Sequence, residues 1–227
     1  YITGKMFIEL CLNRFKICFS FLEQFVIYFA IGTFFIPLFI LILGHFFIFS
    51  QSFVIILLAF NIFFWKDWLD IIKSLENLKK FLETTHIITK IVTLGFIILM
   101  LLNLVHCFVP PMDYDVLEYH LGAPSEYIKN GKIFYISNNV YANFPQNMEM
   151  LSFFYMLLIG KMCGAWSSLV NLWFYGIILV LAIYNLCAKL MSKEEAYLSS
   201  LMVYFLPWTN ELIRIHYVEI PLVLMII

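Results

Sequence analysis

Apolar residues run in long blocks along this chain, separated by short stretches that hold nearly all of its charge. A helix that crosses a bilayer needs roughly 20 predominantly apolar residues. Phe25 to Leu43 meets that length, and Phe46 to Trp65 meets it again after a short turn around Gly44 and His45. Ile91 to Phe108 is a third such block, and Trp166 to Leu186 another. Met150 to Ile159 is apolar but half a span long, which predicts a re-entrant or interfacial helix. Ala196 to Trp208 follows Lys193, Glu194 and Glu195; it is expected to cross, and reaches full length only by continuing past Pro207. A last block begins near Ile220. Between Trp68 and Leu82 the pattern changes. Trp68, Leu69, Ile72, Leu75, Leu78 and Leu82 are interleaved with Asp70, Lys73, Glu76, Lys79 and Lys80, predicting an amphipathic helix on a membrane surface.

Composition turns these blocks into a fold class. Hydrophobic residues make up 63% of the chain and charged residues 13%, against about half and about a quarter in a soluble domain. Such a chain cannot cover its surface with polar groups, so its solvent is lipid and the expected fold is all-α, a polytopic bundle of transmembrane helices. A net charge of −1 argues against nucleic acid, which requires a basic face. Cys11, Cys18, Cys107, Cys163 and Cys187 are odd in number and lack paired spacing, so neither a disulfide framework nor a zinc site is predicted. The abundance of Phe, Ile, Asn and Lys is the pattern expected of an AT-rich genome rather than a functional signal. The sequence starts at Tyr1 and stops at Ile227 inside an apolar run, so a longer protein with a further C-terminal part is expected.

Lysine and arginine placement predicts sidedness. Lys5, Arg14 and Lys16 precede the first span; Lys66, Lys73, Lys79, Lys80 and Lys90 lie between the second and third; Lys189 and Lys193 follow the Trp166 span. All three groups share the cytoplasmic side only if Met150 to Ile159 does not cross, as its length also predicts. Residues 110–148 and 207–219 then both fall on the outer face, with Lys129, Lys132 and Lys161 as a basic minority there. The expected organisation is a two-span segment plus cytoplasmic amphipathic helix over 1–89, followed by a transmembrane core over 90–227.

The chemistry-bearing residues gather on that outer side. Pro110 and Pro111 end the third span, and Asp113 or Asp115 then starts a new helix. Asp115, Glu118, Tyr119 and His120 cluster where the chain meets water. Two readings of Asp115 stand side by side: a helix N-cap and nothing more, or a carboxylate available for chemistry. Glu219 likewise reads either as an acid facing a polar cavity or as an interfacial acid paired with Arg214.

The spacing Asp115, Tyr119, Ala123 and Gly131 resembles the first outer loop of GT-C glycosyltransferases, the group that includes protein O-mannosyltransferases and the lipid A aminoarabinose transferase. A bacterial branch is more similar, with the pattern D-x-x-x-Y-H-L-x-x-P-x-x-Y-x-x-x-G followed by N-x-Y-x-x-F-P-x-x-x-E-M-L. The second part stands here as Asn139, Tyr141, Phe144, Pro145, Glu149, Met150 and Leu151. Downstream, His216 to Leu222 resembles the family's Y-x-D-x-P-L element, with Glu219 in place of the acid. One departure is plain: Val116 stands where many members carry a second acid, and Glu118 is not at an equivalent position. The resemblance covers about residues 90–227, the front half of such an enzyme.

That resemblance implies transfer of a sugar from a polyprenyl-phosphate donor to a glycan, lipid or protein acceptor on the outer face of a bacterial cytoplasmic membrane. Asp115 is then the expected general base for the acceptor hydroxyl, a weak nucleophile that needs one, with Glu219 as the second catalytic acid. Tyr119, His120, Glu149 and Arg214 are the expected substrate-binding residues, Arg214 and His120 serving the leaving phosphate and Lys129 and Lys132 as lesser candidates. Glu149 and Glu219 would orient the acceptor or hold a divalent cation, although no spacing identifies a metal. A transporter and a noncatalytic membrane assembly subunit are the competing readings.

Overall fold

The computed structural model describes residues 1–12, 20–46 and 78–227. Every regular element among them is helical: α1 (Ile2–Leu12), α2 (Phe21–Phe46), α3 (Ile87–His106), α4 (Gly122–Asn130), α5 (Glu149–Ile159), α6 (Lys161–Cys187), α7 (Lys193–Phe205), α8 (Pro207–Arg214) and α9 (Glu219–Ile226). A π turn, Val116–His120, precedes α4, and a 3₁₀ turn, Tyr141–Asn143, precedes α5. Three helices are long and apolar enough to cross a membrane: α2, α3 and α6. Helices α2 and α6 contain the expected spans Phe25 to Leu43 and Trp166 to Leu186, and α3 carries the third as far as His106. The expected span Phe46 to Trp65, and most of the amphipathic stretch Trp68 to Leu82, lie outside the described residues.

Helix α6 is the organising element, in contact with α2, α3, α5, α7, α8 and α9. Its buried Tyr175, Ile178 and Leu179 join Tyr204 and Leu201 of α7, Ile213 of α8 and Leu224 of α9 in the main core. Glycine sets the tightest approach. Gly160, at φ +86°, links α5 to α6, and a Cβ on Gly164 would stand 2.3 Å from the Met156 Cα. The two backbones therefore meet, and α5 folds back along the first part of α6. At 11 residues, α5 is about 16 Å long, half the apolar thickness of a bilayer.

Helix α7 ends where hydropathy predicted it would continue. Ser192 and Glu195 cap its start reciprocally, but Leu206 leaves helical geometry at ψ 129° and Pro207 opens α8 as a separate helix. The residue before proline avoids the α region and a proline is best placed in a first helical turn, so the chain breaks here. The expected crossing from Ala196 to Trp208 is thus a helix of 13 residues followed by a bend.

Contacts between helix ends sort the connections into two groups. At one end, the Lys189 Nζ lies 2.8 Å from Glu23 Oε1, and Glu194 accepts the His86 N–H at 2.9 Å and the Thr89 hydroxyl. At the opposite end, Ile133 N–H donates to the Gly44 carbonyl, Phe108 packs on Trp166, and His216 meets Ala165. Lys90, Lys189 and Lys193 therefore share the first end, and the segments holding Asp115 and Glu219 share the second.

Candidate functional site

At the second end, the helix entering α4 begins just after Asp113. One oxygen of Asp113 accepts the backbone N–H of Asp115 at 3.0 Å and of Val116 at 3.4 Å. Free N–H groups at a helix start demand such an acceptor. Asp113 does this work, and Asp115 makes no capping bond. The reading of Asp115 as an N-cap is therefore corrected: its half-buried carboxylate has no hydrogen-bond or ion-pair partner among the described residues.

The next turn is widened. Leu121 N–H bonds the Val116 carbonyl at 2.9 Å, an i to i+5 closure. A Cβ on Gly122 would lie 2.6 Å from the Leu117 oxygen, so glycine fits the bulge. Such one-turn bulges recur at functional sites. Here the bulge ends in His120, only 5% exposed, whose Nδ1 stands 2.6 Å from Glu149 Oε1 of α5. Glu149 is 4% exposed, and its second oxygen has no partner.

The segment after Gly131 is stitched by amides. Asn143 bonds both the N–H and the carbonyl of Ile136, and Asn139 donates to the Glu118 carbonyl and accepts from Ala142 N–H. These asparagines hold Tyr141 against the bulge, where its ring stacks on Tyr119 at 6.0 Å. The Tyr119 ring also lies 4.1 Å from His120, and His120 lies 5.4 Å from Tyr217.

Tyr119 is the meeting point of the acids. Its hydroxyl is held above the usual phenol range by burial first, and then by the negative charges of Asp115, Glu149, Glu219 and Asp113. Asp115 and Glu219, over a hundred residues apart in sequence, thus act on one hydroxyl. Tyr217 behaves alike. Its pKa is raised by burial, by donation to Asp113 Oδ1 at 3.0 Å, and by the charges of Asp113, Asp115 and Tyr119. Both phenols therefore stay protonated at neutral pH, and Tyr217 donates to Asp113.

The predicted residues divide. Asp115, Tyr119, His120 and Glu149 come together, and Glu219, exposed at the start of α9, reaches them only through its charge on Tyr119. Arg214 does not join them: its Nε donates to the Asn210 carbonyl and its guanidinium pairs with Glu211 on the same helix. The alternative pairing of Glu219 with Arg214 is likewise absent from the described residues. Lys129 pairs with Glu126 at the exposed end of α4. Among the described residues no lysine or arginine forms an ion pair with Asp113, Asp115, Glu149 or Glu219. Nor do three His, Cys, Asp or Glu side chains among the described residues converge as a metal site.

Asp113, expected only as a candidate helix start, and His216 and Tyr217, expected only as part of the His216 to Leu222 element, join the site as well. The spacing of Asp113 and Asp115 held a signal, since two acids two residues apart cannot both cap one helix start. His216 opens a local motif that does not reveal its role, because that role depends on α6. Its Nε2 lies 2.9 Å from the Ala165 carbonyl and 2.9 Å from Ser168 Oγ, and burial pushes its imidazole down to about 4.

No protein-family model matches this chain, and no curated protein or solved structure matches it significantly.

Proposed function

We propose that the chain belongs to a multi-pass membrane glycosyltransferase of GT-C type, moving a sugar from a polyprenyl-phosphate donor to an acceptor on the outer face of a bacterial cytoplasmic membrane. The observation that carries this reading is the division of labour between two acids. Asp113 caps the helix, which leaves the Asp115 carboxylate unpartnered and half-buried beside Tyr119. A general base needs such a position, close to the reacting hydroxyl and not consumed by the fold. Asp115 takes the acceptor proton as the hydroxyl oxygen attacks the anomeric carbon and the bond to the donor phosphate breaks. Glu219 and the Tyr119 hydroxyl orient the acceptor, and the exposed Tyr141 ring offers an apolar face to the sugar. Glu149 positions His120 rather than meeting substrate.

The position of the acids favours this reading over a transporter. Transport sites place ionisable groups near the midplane on broken helices, whereas Asp113, Asp115, Glu149 and Glu219 all lie outside the three candidate spans. The direct test is transfer of labelled sugar from a polyprenyl-phosphate donor by the purified full-length protein in lipid. The wild type is expected to transfer, and Asp115→Asn to lose transfer while inserting and melting normally. Undiminished transfer by that variant removes Asp115 as base. Single cysteines at 115 and 219, on a background without native cysteines, should both react with an impermeant reagent from the outer side. Labelling from opposite sides would sink a shared site.

A further inference from the structure

Between α5, the first part of α6 and the residues entering α9 lies a small cavity walled by His120, Glu149, Ser152, Ser168, Asn171 and His216, among others. The volume open to the centre of a water-sized sphere is about 20 Å³. One ordered water needs about 10–15 Å³ on that measure. Two atoms of its lining residues, Glu149 Oε2 and His216 Nδ1, are buried without a hydrogen-bond partner. Their side chains are 4% and 5% exposed. Buried polar atoms are rarely left so, and each such exception calls for a missing partner.

The chemistry of each orphan follows from its other half. The 2.6 Å approach of His120 Nδ1 to Glu149 Oε1 requires a proton between them. Whichever group holds that proton, Oε2 remains an acceptor. His216 Nε2 lies 2.9 Å from the Ala165 carbonyl, which can only accept, so Nε2 carries the hydrogen. Burial holds this ring neutral above about pH 4, and Nδ1 is then a bare lone pair. Both residues line the one small cavity. An anion is repelled there, and an apolar group would leave both unsatisfied.

We propose that the cavity binds a single water molecule that donates one hydrogen to Glu149 Oε2 and the other to His216 Nδ1, bridging α5 to the segment that enters α9. The Ser152 hydroxyl and the Asn171 amide line the same wall and are available to the water's lone pairs. Together with the Tyr217 hydroxyl on Asp113, the bridge pins residues 216 and 217 at two points, just ahead of Glu219. Both Glu149 and His216 act here as positioning residues. The proposal does not depend on the transferase reading, because it concerns hydration and not turnover.

Solid-state NMR of the full-length protein in lipid nanodiscs, with nitrogen-15 histidine, tests it at neutral pH. His216 is expected as the neutral Nε2–H tautomer, with magnetisation transfer from bound water to Nδ1. An Nδ1–H tautomer, an imidazolium, or a dry Nδ1 would each overturn the bridge. Ser152→Val puts a larger apolar group into the cavity wall and is expected to abolish the water signal at His216 while the His120–Glu149 pair persists. Retention of that signal in the variant also counts against the site. A melting temperature that rises in sodium chloride relative to choline chloride, and loses that rise in Glu149→Gln, would replace water by a monovalent cation and overturn the proposal as stated.

Discussion

Polar side chains between the helices and polar side chains at the Asp115 end are treated differently by this fold. Within the bundle they close on one another. Asn103 of α3 donates to Asn210 Oδ1 at 2.7 Å and lies 3.3 Å from the Tyr204 hydroxyl, and Tyr175 of α6 donates to Thr33 of α2 at 2.9 Å. At the Asp115 end the protein leaves bonding unfinished, with a carboxylate on Asp115 and atoms on Glu149 and His216 that no group among the described residues satisfies. An unsatisfied group costs free energy wherever water cannot reach it. Paired groups between helices are adhesive; unfinished ones beside a cleft are capacity for binding and chemistry. The contrast defines experiments that separate the two roles.

The largest effect is expected at Asp115. Asp115→Asn keeps shape and removes basicity, so sugar transfer should fall by about 10³-fold, within the range of a lost general base. Melting temperature should not move, because the side chain makes no bond that the variant breaks. A variant that melts earlier in proportion to its lost activity would place Asp115 with the adhesive groups instead.

Acidification should strike the unfinished region next. His216 has its imidazole lowered to about 4, by burial first and by the neighbouring His120 charge, whereas the unfolded ring titrates near about 6.5. Below the unfolded value the unfolded chain binds a proton that the folded chain refuses. Stability is therefore complete above about pH 6.5, falls as pH drops through the window, and has lost this contribution below about pH 4, a total of about 3 kcal/mol. Melting temperature measured against pH should show that slope in the wild type and a shallower one in His216→Asn. Equal slopes would move the acid sensitivity elsewhere.

Asp113 belongs to both classes, and its variant should show it. Asp113→Ala removes a cap and leaves the Tyr217 hydroxyl without its acceptor, a loss of about 2 kcal/mol. Asp113→Asn retains an acceptor oxygen and should lose less. Transfer measured per folded molecule should fall in the alanine variant, since the backbone that aims Asp115 is no longer held. Unchanged transfer would mean that the π turn and the Glu149–His120 pair suffice to aim it.

How much of this was visible in the sequence follows the same division. The spans inside α2, α3 and α6 were legible because a lipid solvent demands a run of apolar residues, and such a run can be read without knowing any contact. The half-length of α5 was legible for the same reason. The end of α7 was not, because the apolar run from Ala196 reaches Trp208 in sequence while the backbone before Pro207 cannot stay helical. At the site, sequence spacing brought Asp115, Tyr119 and His120 together, since they lie within two turns of one helix. It could not decide which aspartate would cap, a matter of backbone path. Arg214 was misplaced because charge alone does not reveal that Glu211, one turn earlier, is the nearer partner. His216 opens a local motif, but its role depends on α6, some fifty residues away, which that motif does not reveal.

The smallest expected effect tests the adhesive half of the comparison. Asn103→Leu removes the donor to Asn210 and to the Tyr204 hydroxyl, while Asn210 keeps its own bond to the Tyr204 carbonyl. Hydrogen bonds between membrane helices contribute about 1 kcal/mol or less, because the separated helices find other partners. A leucine of similar volume restores most of the packing, so the net change should be about 1 kcal/mol, read as a small drop in melting temperature in detergent. The network joins α3 to α7 and α8 at a point outside the acid cluster, so transfer per folded molecule should stay at the wild-type level. If Asn103→Leu depressed transfer as deeply as Asp115→Asn at equal amounts of folded protein, the bundle would be part of the reacting machinery. The separation between adhesive pairs and unfinished groups would then fail at its firmest point.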